Sequence, residues 1–572
     1  MQDILLGDRG RCDVRTEDNV VGITIGRMAS GGARLGGREE AMKLRSIGVL
    51  LLVATTAITA LLPGSASAAR NSAPAARNSA PAAKNGGFVT RSGSRLELDG
   101  KPFRFSGANI EWLGLVGYGP LNHEASQYER FPSDYEINDA LATAKEMGVN
   151  VVRAQTLGDT VGCPNCLEPT LGTFNAQAFR VMDYAIMRAR HYGIRLILEF
   201  QGDAGAEHVS STADVFSNWR GGANFWTDPA VIKDFENHIA HIVDHVNTYT
   251  GVPYKDDPTI LGWMDCNSCQ IYAGASTDSW VKTISSYVKS IDHRHLFISN
   301  AAEFEPDTQM LATPSVDVYS NEVYPHWYQV LVPGSGGLAQ AEAAETSLVH
   351  ATAATTVAAG KAWFISEYGW DKTNWATPAD LQAFLAGVEQ DPDISGDLFW
   401  DLESHANGHG WEPIPANNEC QPSCYTNEDG NWWALYYTGI PTLSNTQGDM
   451  AQRAQILRTH AYQMRGYATP PPRDIPPAPA ITAITDGRVY WQGSAGASDY
   501  SIQHASTRRG PWATVCDHCV TDMSNGWPET AHSGWYRVIP YNLDNAPGPA
   551  SPPSVARPQS SQAGGRAVLL PN

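Results

Sequence analysis

From Phe88 to about Tyr467 the chain alternates short β-branched or apolar runs with longer stretches of helical periodicity, and nothing else in it limits the available folds so sharply. The strand candidates are Phe103–Gly107, Asn150–Ala154, Arg195–Phe200, Ile260–Met264, Leu296–Ser299, Val316–Ser320, Ala362–Ser366 and Asp397–Trp400. Helical patterns lie between them at Asp134–Met147, Ala176–Tyr192, Val231–Tyr249, Ser279–Ile291, Ala339–Ala359 and Pro378–Glu389. Eight strands in such an order predict an α/β fold, a (β/α)8 barrel rather than an open doubly wound sheet. No G-x-G-x-x-G follows an early strand, so a dinucleotide site is not supported. A barrel keeps its chemistry at the C-terminal ends of its strands, and the candidates are to be sought there.

The flanks read differently. Lys43 and Arg45, an uncharged apolar run over Ile47–Leu62, and Ala66-Ser67-Ala68 follow the order of a secretory signal peptide over 42–68. Residues 1–41 are then an early-assigned start or a disordered extension. Segment 69–87 repeats Arg-Asn-Ser-Ala-Pro-Ala-Ala and cannot bury a core, so it reads as a linker. After the barrel region, 88–467, come a Pro-rich linker at 468–480, short alternating strands with no helical period at 481–556, and a tail at 557–572. The barrel and the C-terminal strands are expected to separate on proteolysis within Thr469–Pro479.

Cysteine usage fits an exported chain. Apart from Cys12, the cysteines fall in close pairs, Cys163/Cys166, Cys266/Cys269, Cys420/Cys424 and Cys516/Cys519, which are expected as local disulfides, with zinc the alternative. Asp and Glu number 60 against 40 Lys and Arg, a formal charge of −20, which argues against a nucleic-acid partner. The 17 tryptophans suit large cores, and also sugar rings, whose apolar faces stack on indoles. His293 and His295 have no acidic cluster near them in sequence, so neither a metal nor a cofactor is expected.

Six segments, taken in order, resemble glycoside hydrolase family 5, nearest its secreted mannanase-like branch. They are Phe103-Arg-Phe-Ser-Gly-Ala-Asn-Ile-Glu-Trp112, Val151-Val-Arg153, Ile260-Leu-Gly-Trp263, Tyr319-Ser-Asn-Glu-Val-Tyr324, Phe364-Ile-Ser-Glu-Tyr-Gly-Trp370 and Leu398-Phe-Trp400. The resemblance implies a retaining β-glycosidase with two carboxyl groups about 5 Å apart. It implies Glu367 as nucleophile, Arg153 as the cation that keeps it ionised, Tyr324 beside it, Asn267 on a sugar hydroxyl and Trp400 as the sugar platform. Trp112, Trp327 and Trp370 are further candidates for sugar contact, with Trp226 and Trp411 behind them, and His405 is as much a structural candidate as a binding one. The expected partner is β-mannan or a related β-glycan, and the expected state is a secreted monomer off the membrane. The strands at 481–556 resemble a fibronectin type III sandwich, a spacer or accessory module in which Trp491, Trp512 or Trp535 could meet sugar.

The chain departs from the family on the fourth strand. Where the family reads Trp-Glu-x-x-Asn-Glu, this chain reads Trp263-Met-Asp-Cys-Asn267-Ser268, so a serine stands at the acid/base position. A serine hydroxyl is too weak an acid to protonate a leaving glycosidic oxygen, and general acid/base catalysis is typically worth about 10²–10⁴-fold. On the sixth strand the family commonly has His-x-Tyr, and here Glu322 precedes Val-Tyr324. The plain reading of Glu322 is a loop glutamate or a hydrogen-bond partner of sugar hydroxyls. The sharper reading is a relocated acid/base, since two adjacent carboxyls share a proton. Asp265 should point to the other side of its strand, and Asp203, Glu207, Glu303 and Glu305 are rim carboxylates without a transferable role. A pseudoenzyme that binds glycans without cutting them is the competing function.

Overall fold

The computed structural model describes strands at 12–16 and 19–23, then residues 87–556 except 118–128, 202–214, 268–276, 301–307, 333, 412–433, 438–448, 522–525 and 529–532. The expected signal peptide, most of the first linker and the C-terminal tail therefore lie outside the described residues, as do Ser268, Cys269, Cys420 and Cys424. The chain divides into two compact units, Met1–Arg77 and Asn78–Asn572. In the first, Cys12–Thr16 and Asn19–Ile23 pair as an antiparallel hairpin.

In the second unit eight parallel strands close into a barrel. They are β1 (Phe105–Asn109), β2 (Val151–Ala154), β3 (Arg195–Glu199), β4 (Ile260–Met264), β5 (Leu296–Asn300), β6 (Val318–Val323), β7 (Ala362–Gly369) and β8 (Gly396–Trp400). The main helices are α1 (Asp134–Glu146), α2 (Ala176–Tyr192), α3 (Pro229–Asp244), α4 (Thr277–Ile291), α5 (Leu338–Ala358), α6 (Pro378–Gln390) and α7 (Met450–Met464). Local chemistry sets several of their ends. Ser133 and Glu136 form a capping box at the start of α1, Asp228 caps α3 with Pro229 behind it, and Thr377 caps α6. Gly193 ends α2 at φ 73°, a left-handed conformation that glycine adopts without cost.

Side chains alternate along the strands except where the register slips at β4 and β7, and the two faces have separate cores. The outward set, including Val152, Leu196, Leu198, Trp263, Phe297, Tyr319, Trp363, Ile365 and Phe399, packs on the helices. The inward set, Phe105, Val151, Ile197, Leu261, Met264, Leu296, Ile298, Val318, Ala362, Phe364 and Leu398, fills the barrel interior. A small sheet of Val89–Ser92, Arg95–Leu98 and Lys101–Pro102 adds Val89 and Leu96 to this interior cluster, at the end opposite the strand C-termini. Among the described residues no helix is long and apolar enough to cross a membrane.

β6 and β7 overrun the expected ends the most. β6 continues to Val323 and β7 to Gly369, so Glu322 and Glu367 are strand residues. The loop reading of Glu322 is therefore corrected: it is paired in a parallel ladder and only 5% exposed.

C-terminal to the barrel, seven strands make two antiparallel sheets. One joins β9 (Ala480–Thr485), β10 (Arg488–Gln492) and β13 (Trp527–Pro528); the other joins β12 (Ala513–Val520), β11 (Asp499–Ala505), β14 (Gly534–Tyr541) and β15 (Ser554–Ala556). Trp491, Tyr500, Ile502, Tyr536 and Val538 form the core between them. The Pro-rich segment leading there is tied down. Arg473 is buried, pairs with Glu146 of α1 at 2.8 Å and donates to Tyr437 Oη at 3.0 Å. Its Nε lies 3.3 Å from Asp544, and Lys145 meets Asp474 at 2.9 Å. Tyr135 of α1 donates to the Gly493 carbonyl at 2.9 Å. A Cβ at Gly493 would lie 2.1 Å from the His405 ring, so that approach requires glycine.

Candidate active site

The site follows from continuing the inward alternation one residue beyond the apolar interior. On β2, Val151 is inward and Val152 outward, so Arg153 returns inward. On β3 the same step from Ile197 brings in Glu199, and on β5 the step from Ile298 brings in Asn300. β6 alternates through Val318 and Ser320 to Glu322, then Tyr324, and β8 through Leu398 to Trp400.

β7 would break this order without a correction. Ala362 and Phe364 are inward and Trp363 and Ile365 outward, so simple alternation would turn Glu367 out to the helices. The register against β6 slips there: Asn321 pairs with Ile365, but Glu322 pairs with Glu367. Ser366 is thus the extra residue of a β-bulge, a device that re-aims the next side chain. Glu367 and Glu322 become direct neighbours on parallel strands, whose spacing is about 4.8 Å.

Arg153 joins the layer together and is fully buried. Its Nη1 donates to Glu367 Oε1 at 2.5 Å and to Asn109 Oδ1 at 3.0 Å. Its Nη2 lies 3.0 Å from Glu199 Oε2 and donates to Asn267 Oδ1. Burial alone would weaken its hold on the proton, but Glu199 and then Glu367 outweigh that and keep the guanidinium charged. Tyr324 Oη donates to the other oxygen of Glu367 at 2.7 Å. Glu367, 5% exposed, is thereby held from both sides by donors. Tyr324 and Trp400 pack together with Trp327 against them, forming the aromatic wall beside that carboxylate.

Glu322 is oriented by Asn300. The Asn300 amide donates to Glu322 Oε1 at 3.0 Å and lies 3.4 Å from Asn267 Oδ1. Its own carbonyl oxygen accepts from Ser320 and Ser366 hydroxyls, both at 3.0 Å, which fixes the amide's direction. Glu322 thus sits one amide away from Asn267, the residue that precedes position 268 in the chain. Asp265 turns outward as alternation requires, accepting from Ser299 at 2.6 Å and from the Asn300 backbone at 3.1 Å; burial pushes its carboxyl up to about 7. Asp401, just past Trp400, is likewise pushed up to about 7, first by burial, with the charge of Glu367 adding to it.

Other sequence candidates lie elsewhere. Trp370 and Trp112 belong to the outward core, because Trp370 shares the outward phase of Tyr368 and Trp112 packs with Ile110 and Leu113. Trp226 is in that same core. His405 is buried, bonds Asp139 at 2.9 Å, stacks on Trp411 and faces Gly493, so it braces the C-terminal strands. His295 is buried against Asp292 at 2.6 Å, an acid that the turn reading overlooked. Cys163–Cys166 and Cys516–Cys519 are disulfides, and Cys266 is disulfide-bonded. Trp491 is in the core of the C-terminal sheets, whereas Trp512 carries Arg537 over its ring at 4.5 Å. Among the described residues no group of three or more His, Cys, Asp or Glu side chains is placed to hold a metal ion. Sequence reasoning passed over Glu199 and Asn300; the signal available was their inward phase at the ends of β3 and β5.

The family profile described as "GH family 5 beta-mannosidase-like" matches residues 86–374, half of the chain. Mannan endo-1,4-beta-mannosidase 3 of Oryza sativa subsp. japonica is 30% identical over 346 residues, 53% of this chain and 69% of that protein. Mannan endo-1,4-beta-mannosidase 5 of Solanum lycopersicum is 34% identical over 208 residues, 35% of this chain. In that match and others like it the chain spans about half the length of the relative, 47% in the Solanum case. The solved endo-1,4-beta-mannanase of Rhizomucor miehei aligns with 66% of this chain and 100% of its own at 23% identity and a TM-score of 0.47.

Proposed function

Since the chain belongs to the β-mannosidase-like branch of glycoside hydrolase family 5, we propose that it is a secreted retaining hydrolase of β-1,4-mannan. In this reading Glu367 attacks the anomeric carbon, and Glu322 donates a proton to the departing glycosidic oxygen. The resulting covalent glycosyl–enzyme is then hydrolysed by a water from which Glu322 removes the proton. The observation that carries the reading is the in-register pair of Glu322 and Glu367, inward-facing carboxyls on adjacent strands. Their strand spacing of about 4.8 Å is close to the separation of about 5–5.5 Å that retention requires. Arg153 and Tyr324 hold Glu367 as the anion a nucleophile must be, and Trp400 offers the apolar face on which a sugar ring rests. The choice of mannan rests on the names of the relatives. The C-terminal sheets are proposed as a fibronectin type III-like accessory module, braced on α1.

Ser268 favours a second reading. If the family's acid position is the only one that serves, the barrel binds glycans and does not cut them. Hydrolysis of β-mannan, glucomannan, xylan and β-glucan, with an activated aryl β-mannoside beside them, separates the two. The enzyme reading expects β-mannan to be cleaved with retained anomeric configuration and all cleavage to vanish in Glu367→Ala. Cleavage of the aryl substrate alone would mean that the nucleophile works without an acid, and binding without cleavage of either would establish the pseudoenzyme.

A further inference from the structure

The bulge that aims Glu367 is itself held by a side chain. Against β6, Asn321 pairs with Ile365 and Glu322 with Glu367; against β8, Ile365 pairs with Asp397 and Tyr368 with Phe399. Ser366 and Glu367 thus stand together opposite Leu398. A bulge takes backbone groups out of the regular ladder, and a buried carbonyl there calls for a donor from outside it. Asn109 is such a donor. The last residue of β1, it takes the inward phase after the outward Ala108 and is 1% exposed. β1 pairs with β8 and β2, yet the Asn109 amide reaches past β8 to β7, where Nδ2 donates to the Ser366 carbonyl at 3.0 Å. The same nitrogen donates at 3.3 Å to the carbonyl of Phe399, the residue before Trp400, and Oδ1 accepts from Arg153 Nη1 at 3.0 Å. Two carbonyls and one guanidinium N–H require two donor hydrogens and an acceptor on one short side chain, which a carboxamide carries. An aspartate would set an acceptor oxygen against both carbonyls, and a leucine of similar volume would answer none of the three groups.

We propose that Asn109 is a positioning residue of the site: with one amide it pins the Ser366 carbonyl and the Arg153 guanidinium, and so fixes the bulge where Glu367 meets Arg153. The inference rests on the reading of Glu367 as the nucleophile, and it goes further in saying what aims that carboxylate. Arg153 Nη1 is the shared point, since it donates to Glu367 at 2.5 Å and to Asn109 at 3.0 Å. One amide therefore joins the nucleophile's cation to the residue that precedes the nucleophile in its strand. Loss of that amide takes a donor from a buried carbonyl. Turning the bulge relieves the loss, and the turn carries Glu367 off Arg153.

Asn109→Leu in the full chain tests this. Infrared titration reads the carboxyl of Glu367 whether or not mannan is cleaved, because the difference against Glu367→Gln isolates its band. Drawn off Arg153, Glu367 loses a cation that keeps it ionised, and its midpoint should rise by about 1–3 pH, the range an opposite charge commands. The charged and titratable groups around it are all retained in that variant: Arg153 on β2, Glu199 beyond the guanidinium on β3, Glu322 on β6, Tyr324 just after it, and Asp401 after β8. Ser106→Ala, earlier on the same strand, is the control. It deletes a buried hydrogen bond to Asp397 at 2.9 Å and should lower the melting temperature while leaving the midpoint in place. Asn109→Ser, too short to reach either carbonyl, replaces the leucine variant if that does not fold. Where mannan is cleaved, the acidic limb of kcat/KM should rise with the midpoint, and kcat should fall by about 10²-fold, as a misplacement of about 1 Å can cost. A midpoint unmoved by loss of the amide, or moved as far by Ser106→Ala, overturns the inference and leaves the hydrolase reading intact. A raised midpoint in Asn109→Leu, when the parent cleaves no β-mannoside, upholds the role of Asn109 in aiming Glu367 and overturns the hydrolase reading.

Discussion

The interior of this barrel and its mouth are built by the same strands with the same alternation, yet they impose opposite demands. In the interior, Val151, Ile197, Ile298, Phe364 and Leu398 need only fill space without polar atoms. One inward step further along those strands stand Arg153, Glu199, Asn300, Glu367 and Trp400, each defined by its partners. The interior tolerates exchange of one apolar shape for another, whereas the mouth depends on charge count and donor direction. β7 shows where the two rules meet: Phe364 obeys the plain alternation, and Glu367 reaches the mouth only because Ser366 is inserted before it.

The contrast is broken most severely by removing the nucleophile. Glu367→Ala should lower turnover of any β-mannoside by about 10⁴–10⁶-fold, as loss of a nucleophile does elsewhere, with little loss of thermal stability. Steady-state rates and a melting curve on one preparation would show both. Phe364→Ala should do the reverse. It opens a cavity among Phe105, Leu398 and their neighbours and should cost about 3–5 kcal/mol in denaturant unfolding, while the folded fraction keeps its pH–rate profile. Tyr324→Phe, which deletes one hydrogen bond to a carboxylate, is worth about 1.5–3 kcal/mol, or about 10–10²-fold in kcat, with the fold untouched.

The smallest effect lies at the other end of the barrel. His460 on α7 bridges Glu389 and Asp397, both at 2.8 Å. Burial opposes its charge, but Asp397 and then Glu389 outweigh that and raise it to about 9 from 6.5. A value raised by folding stabilises fully below the unfolded value, so this contribution is complete below about pH 6.5 and is lost as pH rises through 9. The melting temperature should fall across that window in the unmodified chain, and the fall should flatten in His460→Gln.

How far the sequence revealed each region follows the same division. The interior was legible because apolar residues at period two leave a pattern that eight strand candidates share, and their bounds fall within a few residues of the observed strands. Arg153, Glu367, Tyr324 and Trp400 were legible through their motifs, and the structure gathers them at one mouth. The sequence pattern places Glu322 in a loop because the hydrophobic run of β6 stops at Tyr319, although the ladder runs on through polar residues. Proximity to strand ends points Trp370 and Trp112 toward sugar, but phase, not proximity, decides which face they take. His405 bears on residues about 90 positions later, through Gly493, and no local pattern encodes such a contact.

The claim that matters most is that Glu322 supplies the acid that Ser268 cannot. It is tested by Glu322→Gln and Ser268→Glu in the full chain, each assayed on β-mannan and on an aryl β-mannoside whose leaving group departs without protonation. The account predicts that Glu322→Gln loses about 10²–10⁴-fold on β-mannan and keeps the first, glycosylation step on the aryl substrate, while Ser268→Glu gains little because an acid is already present. Full β-mannan activity in Glu322→Gln, or a gain of about 10²-fold or more in Ser268→Glu, would contradict it.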